Sequence, residues 1–449
     1  MLTTAINGGI VVDVIRGTRH RRNLGIENGR IVEISETPLE AQEVIWADGL
    51  TVAPGFIDVH GHVDGNDYAG ILSAYQGITT TVGGNCGCSP SSIGDFFRNQ
   101  ESLGFPVNQA MLIGHETALR EEAGALDRYK PATEEQIRTM TQLARKALQE
   151  GACGISFGLD YVPGSSLDEV IALAQVCKEY DKICPVHTRL LTDKDMYSLY
   201  ELFQVARKTG VHILISHFVY QYCNGLVEEG LRMVEKAMKE NLNIQLDSGM
   251  YTNWTTYFNT ATFDLQNIQN SHWRWDQMIV ATGEHTGSVM TEELYYHMKE
   301  KHPCEAIICF EGKEQEVYDC LVKPYVMPST DIGAYAEGEG HPQIAGTYPR
   351  YFRKMVREKK LLTLEEAVYK ATLLPARVFG FDQKGSIEKG KDADLTIFDP
   401  ATIRDRSDYP HRGKPDAKPD GIPYVLVNGC LTVCNGEYTG RRCGRIIRK

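Results

Sequence analysis

From Gly55 onward, apolar runs of four to six residues alternate with longer stretches whose apolar positions recur at helical spacing. The runs 55–58, 79–83, 110–113, 154–157, 184–187, 213–216, 244–247 and 327–330 are predicted to be buried strands. Between several of them the spacing predicts amphipathic helices: 134–149 behind a Thr133 cap, 167–180, 196–209 and 226–240. Strand–helix alternation repeated about eight times points to an α/β chain with a parallel, TIM-like (β/α)8 barrel. The stretch 253–310 fits this rhythm poorly. It holds Trp254, Trp273 and Trp275 among many polar residues, and is read as one or two further barrel strands.

Both ends of the chain are different. Residues 1–53 carry short apolar runs and an Asn28-Gly29 pair between alternating apolar positions, a strong hairpin signal. After about residue 385 the same character returns, in 385–398 and in 424–433. The expected division is 1–53 and 385–449 as two parts of one small β-sandwich, flanking a catalytic barrel over 54–384. Five prolines between 400 and 423 mark a charged loop, either a flexible surface segment or a lid-like cover.

Composition narrows the partners. The formal net charge is −12 with no long basic run, which disfavours nucleic acid. The basic residues Arg441, Arg442, Arg445, Arg448 and Lys449 are read as a solvated terminus. No stretch approaches the ~20 apolar residues of a membrane helix, and no signal peptide is evident. The 12 scattered cysteines, without a CxxC pair, are therefore expected to be reduced thiols of a cytoplasmic protein. The expected partner is a small-molecule substrate, and a homo-oligomer is compatible with the chain.

In a parallel barrel, chemistry sits at the carboxyl ends of the strands. His60 and His62 follow the first apolar run; residues two apart in a strand point the same way, so both imidazoles aim at one point and suit a divalent metal such as zinc. Asn85, Cys86 and Cys88 follow the second run, in Gly83-Gly84-Asn85-Cys86-Gly87-Cys88. Three glycines there allow close backbone approach. Cys86 is the preferred thiolate ligand and Cys88 its rival. His187 and His217 each end a strand, about one βα repeat apart, and are read as further ligands. His115 could be a ligand, a supporting group or a substrate contact. Asp331, after Val326-Met327-Pro328-Ser329-Thr330, is either a catalytic acid/base or a turn-capping residue.

These elements, with Ala53-Pro54-Gly55-Phe56-Ile57-Asp58-x-His60-x-His62, resemble the amidohydrolase superfamily. The likeness is to the N-acyl-D-amino-acid deacylases (D-aminoacylases). It spans nearly the whole chain, through Asn85-Cys86-Gly87, Ile113-Gly114-His115-Glu116, His187-Thr188-Arg189, Ile215-Ser216-His217, Gly346-Thr347-Tyr348-Pro349-Arg350 and Lys391-Asp392-Ala393-Asp394. The resemblance implies that Cys86 takes the bridging role that a carboxylated lysine has in most amidohydrolases. It implies a tight zinc on Cys86, His187 and His217, a possible second, weaker site at His60 and His62, and Asp331 as the catalytic aspartate. The implied reaction is hydrolysis of an N-acyl amino acid by a zinc-activated water, with Asp331 moving the proton and His115 or backbone N–H groups holding the oxyanion.

The chain departs from that family twice. A lysine associated with the substrate carboxylate is replaced in His217-Phe218-Val219, and an Asp-x-Tyr-Pro-Tyr element becomes Asp247-Ser248-Gly249-Met250-Tyr251. The carboxylate is then expected to meet other groups, with Tyr161, Arg189, Tyr220, Tyr251 and Arg350 as candidates. Two rival functions are a cyclic amide, imide or lactone hydrolase with the same metal chemistry, and a non-catalytic scaffold.

Overall fold

The computed structural model describes residues 1–189 and 196–449. The N-terminal part forms strands β1 (Thr4–Asp13), β2 (Thr18–Glu27), β3 (Arg30–Ser35), β4 (Glu43–Trp46) and β5 (Thr51–Pro54). The barrel begins immediately, with β6 (Phe56–Asp58), β7 (Ile78–Gly83), β8 (Asn108–Met111), β9 (Ile113–Gly114), β10 (Ile155–Gly158), β11 (Ile183–His187), β12 (His212–Ile215) and β13 (Ile244–Ser248). Then come β14 (Asn253–Tyr257), β15 (Met278–Val280) and β16 (Ala306–Phe310), the last barrel strand β17 (Val326–Pro328), and β18 (Leu395–Phe398), β19 (Tyr424–Val427), β20 (Cys430–Cys434) and β21 (Glu437–Tyr438).

Every apolar run predicted to be a barrel strand is one. β6, β7 and β8 pair in parallel. Leu112 N–H donates to Gly83 O at 3.0 Å and carries the ladder from β8 into β9. β9 to β13 and then β17 continue it, all in parallel. The ring closes just beyond β17 and β6, where Asp331 N–H donates to His60 O at 2.8 Å and His62 N–H to Ile332 O at 2.7 Å. The closure itself therefore sets Asp331 beside the two histidines. The four predicted helices stand within a residue of expectation. Glu134–Gln149, for example, starts at a Thr133–Gln136 capping box and buries Met140, Ala144, Ala147 and Leu148.

The two ends of the chain meet in one nine-stranded sheet, ordered β21-β20-β19-β18-β5-β1-β2-β3 with β4 added to β1. The junction is the antiparallel pair β5–β18 (Val52 opposite Ile397). A bulge in the ten-residue β1 lets it pair with β4 near one end and β5 near the other. The sheet encloses its own apolar cluster of Ile6, Leu24, Ile26, Ile45, Val52, Leu395, Ile397 and Leu426. Phe56, Phe352 and Phe398 stack where this sheet meets the barrel, with Phe56–Phe352 and Phe352–Phe398 centroids both 5.0 Å apart.

Three expectations need correction. The stretch 253–310 adds no strand to the barrel. β14 and β15 both pair antiparallel to β16, in a separate three-stranded sheet. Its aromatic side chains pack on one another (Trp254 on Phe263 and Trp273, Trp275 on Tyr295), so they build a local core instead of facing the barrel. The cysteines are not all free thiols. Cys430 and Cys443 form a disulfide, because the chain after β21 returns beside β20. Nor is the basic terminus merely solvated: Gln109 N–H donates to Arg445 O, Ile447 N–H to Gln109 O, and Arg448 pairs with Glu101. Among the described residues no helix is long and apolar enough to cross a membrane.

The proline-rich loop is anchored by Tyr409 against the barrel and the small sheet, and none of its residues lines the cavity described below. Tyr409 packs against Tyr251, Phe310 and His341, and its hydroxyl donates to Asn253 Oδ1. His341 Nε2 also donates to Asn253 Oδ1, at 2.9 Å, while its Nδ1 accepts from Gln343 N–H at 3.1 Å. Both ring nitrogens are thus satisfied only by the neutral ring. Burial, reinforced by Arg350, pushes His341 down to about 3. The unfolded chain takes up this proton below about pH 6.5 and the folded chain does not. Stability from this residue is therefore complete above about pH 6.5 and falls by roughly 1 kcal/mol per pH unit below it, down to about pH 3. We expect urea midpoints measured from pH 7 to pH 5 to decline more steeply for the wild type than for His341→Gln; parallel curves would contradict this.

Candidate active site

Four non-glycine residues at the carboxyl ends of barrel strands have left-handed backbone: Asp64 (φ +38°), Cys86 (+52°), His217 (+35°) and Asp331 (+53°). Such conformations cost of order 1–3 kcal/mol each and persist only where the surroundings impose them. The turn carrying Cys86 shows how. At Gly84 (φ +74°) a Cβ would lie 2.3 Å from Leu112 O, and at Gly158 it would lie 2.1 Å from Cys86 O. Only glycine lets these loops approach closely enough to set the thiol over the barrel axis.

Cys86 Sγ lies 3.2 Å from His60 Nε2 and 3.4 Å from His217 Nε2. It belongs to two possible metal-holding groups, His60–His62–Cys86 and Cys86–His187–His217; in each, the ligand atoms lie within 4.8 Å of one another. The rings of His187 and His217 are 4.6 Å apart, and those of His60 and His217 4.7 Å. Asp331 Oδ1 lies 3.4 Å from His62 Nε2 and 3.6 Å from His60 Nε2. Cys88 stands outside both groups, with its sulfur 3.9 Å from Glu116 Oε2.

Carboxylates and amides behind these groups fix them. Asp247, fully buried, accepts from His217 N–H (2.9 Å) and Ser329 Oγ (2.7 Å), and its other oxygen faces His60 Nδ1 at 3.6 Å. Asp58 accepts from Thr330 N–H at 3.0 Å and Thr330 Oγ1; burial raises it to about 7 despite these bonds. Asn85 Nδ2 donates to Val82 O and Gly61 O, pinning the cysteine turn to the His60–His62 loop.

The electrostatics favour a cation. Burial opposes the Cys86 thiolate, but His60 and His217 hold the thiol well below its usual range. Burial likewise opposes charge on His62 and His187. Asp331 and Cys86 nonetheless raise His62 to about 10, and Asp160 with Cys86 raises His187 to about 9. A shielded thiol, four imidazoles and nearby carboxylates converge here in an electron-rich nest. A sulfur-and-imidazole donor set of this kind fits zinc.

A model of the amidohydrolase family matches residues 329–433. An N-acyl-D-glutamate deacylase of Alcaligenes xylosoxydans xylosoxydans is 30% identical over 100% of this chain and 97% of its own length. The chain belongs to the D-aminoacylase family of amidohydrolases. Two solved structures share the fold over 100% of both chains. One is an N-acyl-D-glutamate deacylase of Bordetella bronchiseptica complexed with zinc and a phosphonate mimic of the tetrahedral intermediate (TM-score 0.88, 28% identity). The other is a D-aminoacylase with a binuclear metal centre, described as activated by one metal and attenuated by the second (TM-score 0.87, 26% identity).

The strand ends open into a cavity of about 810 Å³. His62, Cys86, His187, His217 and Asp331 line it, with His60 buried behind them, and β14 forms part of its wall. Tyr161, one of the residues expected to touch substrate, is in that wall, its ring 4.7 Å from His187 and its hydroxyl 3.0 Å from Thr256 Oγ1. Tyr220 also reaches the cavity, where its hydroxyl donates to Gln343 Oε1 at 2.9 Å.

The structure turns the remaining substrate candidates away. His115 is fully buried against Glu169 (2.8 Å), which also holds Arg120, so it supports the barrel wall and does not line the cavity. Arg189 is committed to Glu201 and to the carbonyls of Pro163 and Ser165. Arg350 binds Met250 O and Asp405 and lies over the ring of Tyr251, whose hydroxyl donates to Pro342 O. An arginine or tyrosine can grip a carboxylate, but in the fold Arg189, Arg350 and Tyr251 each meet a partner from another segment first.

Arg128 was missed. Among the described residues it is the one arginine or lysine lining the cavity, with Nη1 donating to Asn259 O at 3.0 Å. It lies in a loop before the helix Glu134–Gln149, far from any strand-end motif, so position in the sequence gave no signal. The same holds for Thr255, Thr256 and Tyr257, brought to the cavity by β14.

Proposed function

We propose that this chain hydrolyses the amide bond of N-acyl-D-amino acids in a zinc-dependent reaction. The observation that carries this reading is the buried Cys86, shared by two histidine pairs, with Asp331 within 3.6 Å of His60 and His62. In this reading Cys86, His187 and His217 hold the tight zinc, and His60 and His62 with Cys86 form an adjoining site. When bound, zinc supplies a Lewis acid that polarises the amide carbonyl and lowers the pKa of water toward ~7.

The protein's own groups supply the rest. Asp331 is buried from bulk solvent but faces the cavity, so its carboxylate can take a proton from the attacking water. The same carboxylate returns that proton to the departing amine nitrogen, whose basicity rises as the carbon becomes tetrahedral. Asp247, Asp58 and Asn85 keep the imidazoles and the cysteine turn in place, so little reorganisation accompanies reaction. Tyr161 and β14 shield the cavity wall.

The substrate's carboxylate is assigned to Arg128, the guanidinium of the cavity, in place of the lysine this chain lacks. Arg128→Gln is expected to raise KM for N-acetyl-D-amino acids by roughly 10–100-fold, as loss of a charge-assisted pair implies, with a smaller effect on kcat. An unchanged KM would remove Arg128 from this role.

The reaction itself is tested with a panel of N-acetyl-D-amino acids, their L-enantiomers, hydantoins and dihydropyrimidines, scoring free amine against ring opening. Release of amine from the D-compounds is expected. Ring opening without amine release from acyl amino acids would overturn the proposal.

A further inference from the structure

We propose that His285, His297 and His302 form a metal site of their own, outside the active site, that takes one divalent late first-row cation such as zinc or nickel. Each ring offers a ligand atom, and these atoms lie within 4.8 Å of one another. The ring centroids form a nearly equilateral set, 5.4 to 5.5 Å apart. Three nitrogens around a tetrahedral ion at ~2.0–2.1 Å stand about 3.3 Å apart, so small ring rotations complete the site.

Local structure explains the convergence. His297 lies on the helix Glu292–Lys301, and His302 is its C-cap. On an ideal helix, residues five apart would diverge. Here His302 leaves the helix at φ −132° and ψ 47°, with its N–H still donating to Met298 O, and its ring turns back beside His297. His285 arrives on the tight loop after β15. That loop is held by Val280 N–H to Ser288 O, Gly287 N–H to Val280 O and Ser288 N–H to His285 O.

The rings have nothing else to do. Among the described residues none of the three makes a side-chain hydrogen bond or ion pair. His285 Nε2 is shut off from solvent with no partner. A buried unsatisfied nitrogen is costly. A cation held by the three imidazoles removes that cost and leaves a fourth position to water, on the side where His297 is exposed.

Such an ion acts as a clamp. The His285 loop joins the segment that follows Asp331, through Gly283 N–H to Glu339 Oε1 (3.0 Å) and Gly340 N–H to Ala281 O (2.8 Å). The same small sheet supplies β14 to the cavity wall. Cross-linking loop and helix therefore stiffens the unit covering the active site, without reaching the reacting atoms.

The experiment compares full-length wild type with His297→Ala and His302→Asn. All three are dialysed against buffers of defined free zinc, and bound metal is counted by plasma mass spectrometry. Both variants change side chains at or near the surface, and melting without added zinc, unchanged to within about 1 °C, verifies folding. The wild type should hold about one more zinc per chain than either variant at saturation, and its zinc-induced rise in Tm should exceed that of either variant by roughly 3 °C. Deacylation at saturating zinc should be unaffected. Equal zinc content and equal Tm shifts in the three proteins would overturn the proposal. The result does not depend on which substrate the active site takes.

Discussion

Cys86→Ala is expected to abolish tight zinc binding in the active site and to lower deacylase activity by about 10²–10³-fold or more, the scale on which catalysis is lost with a central electrostatic element. Cys86 belongs to both histidine groups, so its loss removes a donor from each. It also removes the negative charge that, with the carboxylates, draws a cation between buried imidazoles. Alanine at this position inherits the same left-handed backbone, so the substitution adds no backbone strain of its own. Cys88→Ala is the matched control. Its thiol lies two residues on, is pushed well up by burial and by Glu116, and belongs to neither histidine group. Zinc content and kcat/KM measured on both variants decide the matter. If Cys86→Ala kept its zinc while Cys88→Ala lost it, the ligand assignment would be reversed.

Asp331→Asn is expected to lower kcat by about 10²–10⁴-fold, the range of general acid–base catalysis, with zinc content and KM near those of the wild type. Asparagine is the informative substitution here. It is nearly isosteric, accepts φ +53° more readily than alanine, and removes only the ability to take and return a proton. The backbone of residue 331 also closes the barrel through its bond to His60 O, so a strained replacement would confuse folding with chemistry. Zinc lost together with activity would show instead that Asp331 serves mainly to hold the metal, through its approach to His60 and His62.

The features legible in the sequence share one property: they are local. Alternating apolar runs and helical periods reveal the barrel strands because each strand is buried on both faces and must be apolar throughout. Strand-end positions reveal His60, His62, Cys86, His187, His217 and Asp331 because a parallel barrel sends all its carboxyl ends to one face. The misreadings are of another kind. The stretch 253–310 carries no rule saying that β14 and β15 pair with β16 instead of with the barrel, since antiparallel partners are chosen by packing of Trp254, Phe263 and Trp273. Arg189, Arg350 and His115 have the right chemistry for a substrate, but Glu201, Asp405 and Glu169, which claim them, lie 12, 55 and 54 residues away.

By itself, then, the sequence determined the barrel and marked His60, His62, Cys86, His187, His217 and Asp331 as strand-end candidates, because periodicity and strand-end position follow from backbone geometry alone. Only the tertiary structure decided that, among the described residues, Arg128 is the arginine or lysine of the cavity and that His285 of the loop after β15 meets His297 and His302 of the neighbouring helix. Those facts depend on which side chain reaches a given partner first. That contest is settled by packing between segments far apart in the chain, and no local pattern records it.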